Sequence, residues 1–390
     1  MSQVVIAGIG QTTVGEHWDL SLRELALNAI AAAQKDAGGL SPQALFVGNM
    51  IAPQVSRQAH LGALVADFAG LTGIEAATIE AAGASGAAAL RTGYLAIASG
   101  QVEVALVVGV EKFFDQIGGE VEAAVATSAD SDYEAPQGLT STAQAALLMR
   151  RYLHEFNLPR TALAGFPVIA HQNGAGNPNA MFRKAISAEA YQKAGLVSDP
   201  LNMFDVAPNA DGAAALLLTR PELLPPGFPH PLVRIAGSSL VTDTLALHDR
   251  PDPLAFHAVR LSVERACAKA RITPLQVDFF ELYDAFSIYA ALSLESAGFA
   301  GRGEAWKLTQ NGETPAALSL QGSLPVSTFG GLKARGNPGG ATGVYQVVEA
   351  VLQLRGQAGP NQVPEARRAL VQSLGGPAST VVTHVLEAGI

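Results

Sequence analysis

The strongest constraint on the fold is a plan of alternating strands and helices that the chain follows twice. In the first half, apolar runs and helical periodicity predict strands at 4–9, 44–49, 77–81 and 104–110 and helices from Ser21 and at 61–69 and 86–99. In the second half, the same patterns predict strands at 232–238, 277–282 and 380–386 and helices at 256–270, 287–297 and 343–356. Such alternation indicates an α/β fold with parallel sheets covered on both faces by helices.

The size and charge of the chain limit its number of domains and the kinds of partner it can bind. The chain has 390 residues, of which 48% are hydrophobic, so it is long enough for two to three domains. A net charge of −9 without any basic run argues against nucleic acid or an anionic membrane as a partner. No charged segment precedes an apolar stretch, and no apolar run approaches about 18 residues. We therefore expect a soluble, cytoplasmic protein without a signal peptide or a spanning helix.

Four short segments carry a family resemblance. They are residues 80–86 (EAAGASG), 281–286 (ELYDAF), 330–343 (GGLKARGNPGGATG) and 373–377 (SLGGP). Together they resemble motifs of the thiolase superfamily, in the branch of sterol-carrier-type thiolases and lipid-transfer-like proteins. The resemblance extends over nearly the whole chain.

The resemblance implies a duplicated fold. Two βαβ-type halves would form a five-layered αβαβα core, with residues 1–115 and 206–225 in the first half and 226–390 in the second. Residues 116–205, rich in Asn, Gly and Pro, would form an inserted loop domain that covers the acyl-CoA site. By itself, that composition is also typical of a surface loop.

The resemblance also locates the active site, and each of its four key side chains differs here. It places the nucleophilic cysteine of the family at Gly83, the active histidine at Asn337, an Asn or His at Tyr283, and the acid/base cysteine at Ser373. Gly83 supplies no nucleophile, but the backbone N–H groups of such a turn can hold a thioester oxygen. The one cysteine of the chain, Cys267, lies on an apolar helical face typical of a structural thiol, and a lone cysteine gives neither a disulfide nor a cysteine-based metal site. We predict no metal site.

Three residues are candidates for catalysis. Tyr283 and Tyr345 could donate a proton to a developing oxyanion or accept one, although aromatic side chains also fill cores. Asn337 could donate an N–H to a carbonyl oxygen but could not transfer a proton near neutral pH. Five further residues are candidates for substrate binding: Gly83, His171, Asp284, Ser373 and Gly376.

Three functions remain open. Without a nucleophile, the chemistry that fits best is retro-aldol cleavage of a bulky 3-hydroxyacyl-CoA, as in the steroid side-chain-cleaving aldolases that the chain resembles. The alternatives are a diverged acyltransferase of the thiolase type and a non-catalytic acyl-CoA or lipid carrier or scaffold. The resemblance implies no bound cofactor, coenzyme A only as part of the substrate, a homodimer paired around residues 77–82, and a small OB-fold acyl-CoA-binding partner.

Overall fold

The computed structural model describes residues 3–116, 118–312 and 314–389. The strands are β1 (Val5–Gln11), β2 (Ala44–Gly48), β3 (Glu75–Ile79), β4 (Val104–Glu111), β5 (Leu196–Ser198), β6 (Leu201–Asn202), β7 (Gly212–Thr219), β8 (Val233–Thr242), β9 (Phe279–Glu281), β10 (Arg368–Gly375) and β11 (Thr380–Ala388). The α-helices are α1 (Leu22–Asp36), α2 (Ala52–Val55), α3 (Leu61–Phe68), α4 (Ser85–Ala98), α5 (Gly119–Ala126), α6 (Ser141–Glu155), α7 (Gly165–Gly174), α8 (Ala188–Lys193), α9 (His257–Ala270), α10 (Ser287–Ser296) and α11 (Thr342–Leu354).

Nine strands form one continuous hydrogen-bonded array, which divides into two sheets at a narrow junction between β1 and β8. The first has the order β3-β2-β4-β7-β1 and the second β8-β11-β10-β9, and one registered pair, Val5 with Arg234, joins β1 to β8. Strand β2 is parallel to β3 and β4, and β9 is parallel to β10. Strands β1, β7, β8 and β11 have only antiparallel neighbours, so the expectation of parallel sheets is wrong for them. The reason for β11 is local, because a tight turn rather than a crossover helix connects it to β10.

The helices complete five layers, as the resemblance implied. Helices α4 and α11 pack against each other between the two sheets. Helices α1 and α3 cover the outer face of the first sheet, and α9 and α10 lie on the outer side of the second. This αβαβα arrangement brings the beginnings of α4 and α11 together at the centre of the molecule.

Local signals account for most element boundaries. Helix α1 begins where predicted, because Ser21 and Glu24 form a reciprocal capping box at its first turn. Strand β10 was not predicted, since its side chains are buried on both faces and the segment shows no polar alternation.

An insertion separates β4 from β7. It contains α5 to α8 and the small β5–β6 hairpin, and α7 packs on a π-helical turn at Gly331–Arg335. Among the described residues, no helix is long and apolar enough to cross a membrane.

Candidate functional site

The turn before α4 keeps a constrained shape around Gly83. Ala82 has a positive φ of 49°, and its N–H donates to Glu80 Oε1 at 2.6 Å. The Ser85 hydroxyl donates to Ala82 O at 2.6 Å and accepts from Ala81 N at 2.9 Å. Because that hydroxyl is used inside the turn, Ser85 is not a free nucleophile.

The Tyr283 phenol fills the space above Gly83. A Cβ atom built on Gly83 would overlap the Tyr283 hydroxyl oxygen, and it would lie 2.9 Å from Tyr283 Cζ and 2.7 Å from Leu374 O. Cβ atoms in protein structures essentially never lie within 3.0 Å of such neighbouring atoms. The glycine and the tyrosine are therefore sterically linked, since the phenol occupies the volume that any side chain at position 83 would need.

The environment of Tyr283 keeps its phenol protonated. The side chain is only 7% exposed, and burial raises the pKa of the phenol above its ordinary value. Its hydroxyl makes no hydrogen bond to any residue that the structure describes. Tyr283 can thus donate a proton or a hydrogen bond to a ligand beside Gly83, and it is a weak base near neutral pH.

Ser373 lies on β10, the strand that contacts the Gly83 turn, but its hydroxyl is already hydrogen-bonded. Ser373 is fully buried, and Oγ donates to Gln346 Oε1 at 2.6 Å. Gln346 Nε2 in turn donates to Leu282 O at 2.8 Å and to Gln372 O at 3.0 Å. Ser373 therefore belongs to a buried amide network next to Tyr283.

Asn337 caps the loop that leads into α11. Its Oδ1 accepts from Thr342 Oγ1 and from Gly339 N, both at 3.2 Å. Its Nδ2 has no partner among the described residues, and the side chain is half-buried. The loop touches the start of α4, because a Cβ on Gly86 would lie 2.7 Å from Gly340 O. Asn337 thus offers one amide donor on the loop beside the Gly83 turn.

The turn after β10 carries Gly376 and is fixed by a buried arginine. Gly376 has a positive φ of 56°, a conformation that glycine adopts without strain. Arg250 NH1 donates to Pro377 O at 2.7 Å, and NH2 donates to Ser379 Oγ at 3.0 Å. These bonds hold the turn rigid at the edge of the site.

Asp284 contacts the π-helical turn Gly331–Arg335. Its Oδ1 accepts from Leu332 N at 2.7 Å. Burial raises the pKa of this carboxyl, and the nearby Lys333 ammonium acts against that shift. Lys333 Nζ donates to Asp205 O at 2.8 Å, and burial lowers its pKa to about 8. Asp284 therefore stabilises the backbone of the glycine-rich loop at the π-helical turn.

Tyr345 lies apart from the cluster formed by Gly83, Tyr283, Asn337, Ser373 and Gly376. It is fully buried, and its hydroxyl donates to Thr12 O at 3.2 Å and lies 3.0 Å from Thr12 Oγ1. A Cβ on Gly212 would lie 2.5 Å from this hydroxyl, so the phenol packs against β7. Tyr345 lies two residues after Gly343 on α11, and residues two apart lie on nearly opposite faces of a helix. The Tyr345 ring therefore points away from Gly83.

His171 also lies outside the cluster, in the insertion. Its ring stacks on Phe182 with 6.0 Å between centroids and meets Phe204 edge-on at 5.7 Å. Its Nδ1 is buried without a partner among the described residues, and burial lowers its pKa. The imidazole is therefore neutral near pH 7 and buried mainly among aromatic rings.

His384 predicts acid sensitivity of the fold. The residue is fully buried in β11, Nε2 donates to Ala87 O at 3.2 Å, and burial lowers the pKa of the ring to about 4 from an ordinary 6.5. The unfolded chain binds the proton more readily, so stability present above pH 6.5 should fall by about 3 kcal/mol as the pH drops to 4. We expect urea unfolding to show a smaller loss for His384→Gln.

A matched control for that series is His154→Gln on the exposed face of α6. This variant should keep the wild-type pH dependence. An unchanged pH dependence in His384→Gln would contradict the role assigned to the buried imidazole.

The contact between Gly83 and Tyr283 predicts a steric penalty. Gly83→Ala should lower the free energy of unfolding by about 1–3 kcal/mol, because the added methyl meets both the phenol and the backbone oxygen of Leu374. The penalty should shrink in a Tyr283→Asn background, as measured by urea unfolding. Gly195→Ala is the control, since a Cβ there meets nothing within 4 Å. Equal penalties in both backgrounds would contradict the steric link.

Two residues of the site escaped sequence reasoning. Gln346 follows Gly343 by three residues on α11, a spacing that puts both on one helical face, so a polar residue there was a detectable signal. Arg250 lies in a polar stretch far from any motif, and only the fold brings it to the turn at Pro377.

Other predictions concern residues away from this cluster. Cys267 is buried in α9, where burial raises its pKa to about 11. In the described ranges, no group of three or more His, Cys, Asp or Glu side chains is placed to hold a metal ion.

Family models match both halves of the chain. The thiolase N-terminal domain matches residues 4–222, and the thiolase C-terminal domain-like model matches residues 239–388. The chain belongs to the thiolase superfamily. The turn at Gly83 lies within the first matched range, and Tyr283 and the glycine-rich loop lie within the second.

Similar proteins have different activities in their names. An acetyl-CoA acetyltransferase of Methanothermobacter thermautotrophicus is 38% identical over 99% of both chains. A 17-hydroxy-3-oxo-4-pregnene-20-carboxyl-CoA lyase of Mycobacterium tuberculosis is 29% identical over 91% of this chain and 92% of the lyase. A solved Ltp2-ChsH2(DUF35) aldolase matches 99% of this chain and 98% of its own with a TM-score of 0.83 and 24% identity, which shows the shared fold.

Proposed function

We propose that this protein is a thiolase-like acyl-CoA enzyme that cleaves a bulky 3-hydroxyacyl-CoA by a retro-aldol reaction. The observation that carries the proposal is the Tyr283 hydroxyl in the space above Gly83, where a thiolase of this superfamily would need a thiol. A covalent acyl-enzyme has no nucleophile there, whereas a protonated phenol suits an enolate intermediate.

The reaction proceeds without a covalent intermediate on the enzyme. The C2–C3 bond of the substrate breaks, its electron pair becomes the thioester enolate, and the C3 hydroxyl becomes a carbonyl as it loses its proton. Water accepts the proton of the C3 hydroxyl as the bond breaks, Tyr283 delivers its own proton to C2 of the enolate, and the protonated water then returns a proton to the phenolate, so no net proton is consumed. The products are a carbonyl compound and a shortened acyl-CoA.

Backbone and amide donors complete the proposed site. The Gly83 N–H, at the turn before α4, has no hydrogen-bond acceptor among the described residues and is suited to hold the enolate oxygen. Asn337 Nδ2 is the second donor, and the Gly376 turn forms the opposite edge. His171 and the rest of the insertion, residues 116–205, cover the acyl-CoA in this proposal. Coenzyme A enters as part of the substrate. The enzyme uses no bound cofactor.

Partner proteins belong to the same proposal. Strand β3 is an edge of the first sheet, and its residues from Glu75 to Thr78 are exposed, so a homodimer can pair two copies of this edge. The name of the Ltp2-ChsH2(DUF35) structure supports a DUF35 partner for this chain, in the place where the resemblance implies a small OB-fold protein.

One alternative has a specific observation in its favour. The 38% identity to an acetyl-CoA acetyltransferase over 99% of both chains favours acyl transfer of the thiolase type. Gly83 counts against it, and so does the buried, protonated Cys267. A carrier or scaffold would bind acyl-CoA without converting it.

The deciding experiment is mass spectrometry of products. The purified protein, alone and with a DUF35 partner, is incubated with a branched 3-hydroxyacyl-CoA or with a 3-ketoacyl-CoA plus free coenzyme A. A carbonyl compound and a shortened acyl-CoA from the hydroxy substrate would support the aldolase. Thiolysis of the keto substrate would overturn it, and thermal stabilisation by acyl-CoA without products would favour the carrier.

A further inference from the structure

We propose that Ser373 is a positioning residue that acts through Gln346 to fix the peptide from which the Tyr283 phenol projects. The inference deepens the proposed function, because it rests on Tyr283 as the proton donor. It gives Ser373 a role other than the substrate contact predicted from its place in the motif.

The hydrogen-bond geometry leaves Ser373 no proton for a ligand. Its hydroxyl has one hydrogen, and the 2.6 Å bond to Gln346 Oε1 uses it. The residue is fully buried, as is Gln346 at 2% exposure. Donation of a hydrogen bond from Ser373 to a substrate would require breaking this bond.

Gln346 links the Ser373 hydroxyl to the backbone at Tyr283. Its Nε2 donates to Leu282 O at 2.8 Å, and that carbonyl shares a peptide plane with the N–H of Tyr283. Fixing this plane fixes the direction in which the Tyr283 side chain leaves the backbone. Ser373 holds the other end of the amide through Oε1, and exchange of Oε1 and Nε2 would place an oxygen against the carbonyl oxygens of Leu282 and Gln372 and lose the bonds that Nε2 donates.

The same strand also sets the distance to the Gly83 turn. Leu374 follows Ser373 on β10, and its carbonyl oxygen would lie 2.7 Å from a Cβ on Gly83. Strand β10 therefore carries both the constraint on Tyr283 and one wall of the space that the phenol fills. A displacement of about 1 Å in such a site can lower a rate about 100-fold.

The first test follows the phenol directly and needs no turnover. The chain contains 7 tyrosines, so protein labelled with 3-fluorotyrosine gives a small set of ¹⁹F resonances, and Tyr283→Phe identifies the one from Tyr283. We expect Ser373→Ala to shift or broaden that resonance and leave those of Tyr94 and Tyr133 unchanged. Gln346→Met should have a larger effect, and it provides a second variant if Ser373→Ala folds poorly.

Ser293→Ala is the matched control. Ser293 is fully buried in α10, and its hydroxyl has no hydrogen-bond partner among the described residues. It should leave the Tyr283 resonance in place. A Tyr283 resonance that stays at its wild-type position in both Ser373→Ala and Gln346→Met would overturn the inference.

The second test uses the proposed reaction. Ser373→Ala should lower kcat about 10-fold with KM unchanged, because alignment is lost and binding is not. In a Tyr283→Phe background the same change should have no further effect, since it acts through the phenol. A raised KM, or an additive loss in the double variant, would overturn the positioning role. A wild-type protein without aldolase products would count against the proposed function alone, since the ¹⁹F result does not depend on activity.

Discussion

Tyr283→Phe is expected to lower the turnover number for retro-aldol cleavage about 100-fold, which is typical for the loss of one proton donor or oxyanion contact. The substitution removes a single oxygen atom from a side chain that is 7% exposed. Because this hydroxyl makes no hydrogen bond to a described residue, no protein group is left unpaired and the fold should keep its stability. Acyl-CoA affinity should also persist, as measured by isothermal titration calorimetry.

The control for this substitution is Tyr94→Phe. Tyr94 lies on α4, the helix that begins after Gly83, and it is half-buried. Wild-type turnover in Tyr94→Phe, beside a large loss in Tyr283→Phe, would assign the effect to the phenol above Gly83. Equal turnover in Tyr283→Phe and the wild type would remove Tyr283 from the chemistry and leave its packing role.

Arg335→Leu is expected to lower the free energy of unfolding by about 3–5 kcal/mol, since it breaks a buried ion pair and leaves one charge uncompensated. Arg335 NH1 donates to Glu349 Oε2 at 2.7 Å, and both side chains are 1% exposed. Burial raises the pKa of the Glu349 carboxyl, and the Arg335 guanidinium acts against that shift. Without the arginine, the carboxylate must be buried alone or take up a proton.

The double variant Arg335→Leu with Glu349→Leu separates pairing from packing. It should recover most of the lost stability, because two apolar side chains of similar volume replace the pair. Arg260→Leu is the exposed control. Arg260 pairs with Glu264 at 2.9 Å on the surface of α9, and such pairs contribute about 0–1 kcal/mol. A loss below about 1 kcal/mol for Arg335→Leu, measured by urea unfolding, would show that the buried pair has little net effect.

The position of Arg335 makes this pair relevant to the site as well as to stability. It ends the π-helical turn Gly331–Arg335, and its guanidinium lies 5.3 Å from the centroid of the Tyr345 ring. Arg335, through its contacts with Tyr345 and Glu349, thus anchors the glycine-rich loop. Tyr345, predicted as a candidate catalytic phenol, has in the structure the contacts of an anchor for this loop.

Short-range patterns in the sequence determined most of the strands and helices and the start of α1 at its Ser21 cap. These features follow from interactions between residues close in the chain. The motif residues Gly83 and Tyr283 were also recognisable in the sequence. That the phenol of one fills the side-chain space of the other depends on a contact across about 200 residues, which no local pattern encodes.

Only the tertiary structure decided which side chains face the site. Helical rotation turns Tyr345 towards Thr12, Ser373 donates its one proton to Gln346, and β7 and β11 run antiparallel to their neighbours. Each outcome depends on how α11, β10 and the two sheets pack together. Packing selects one of several orientations that the local sequence allows equally, and for this reason the candidate residues were identifiable in advance whereas their roles were not.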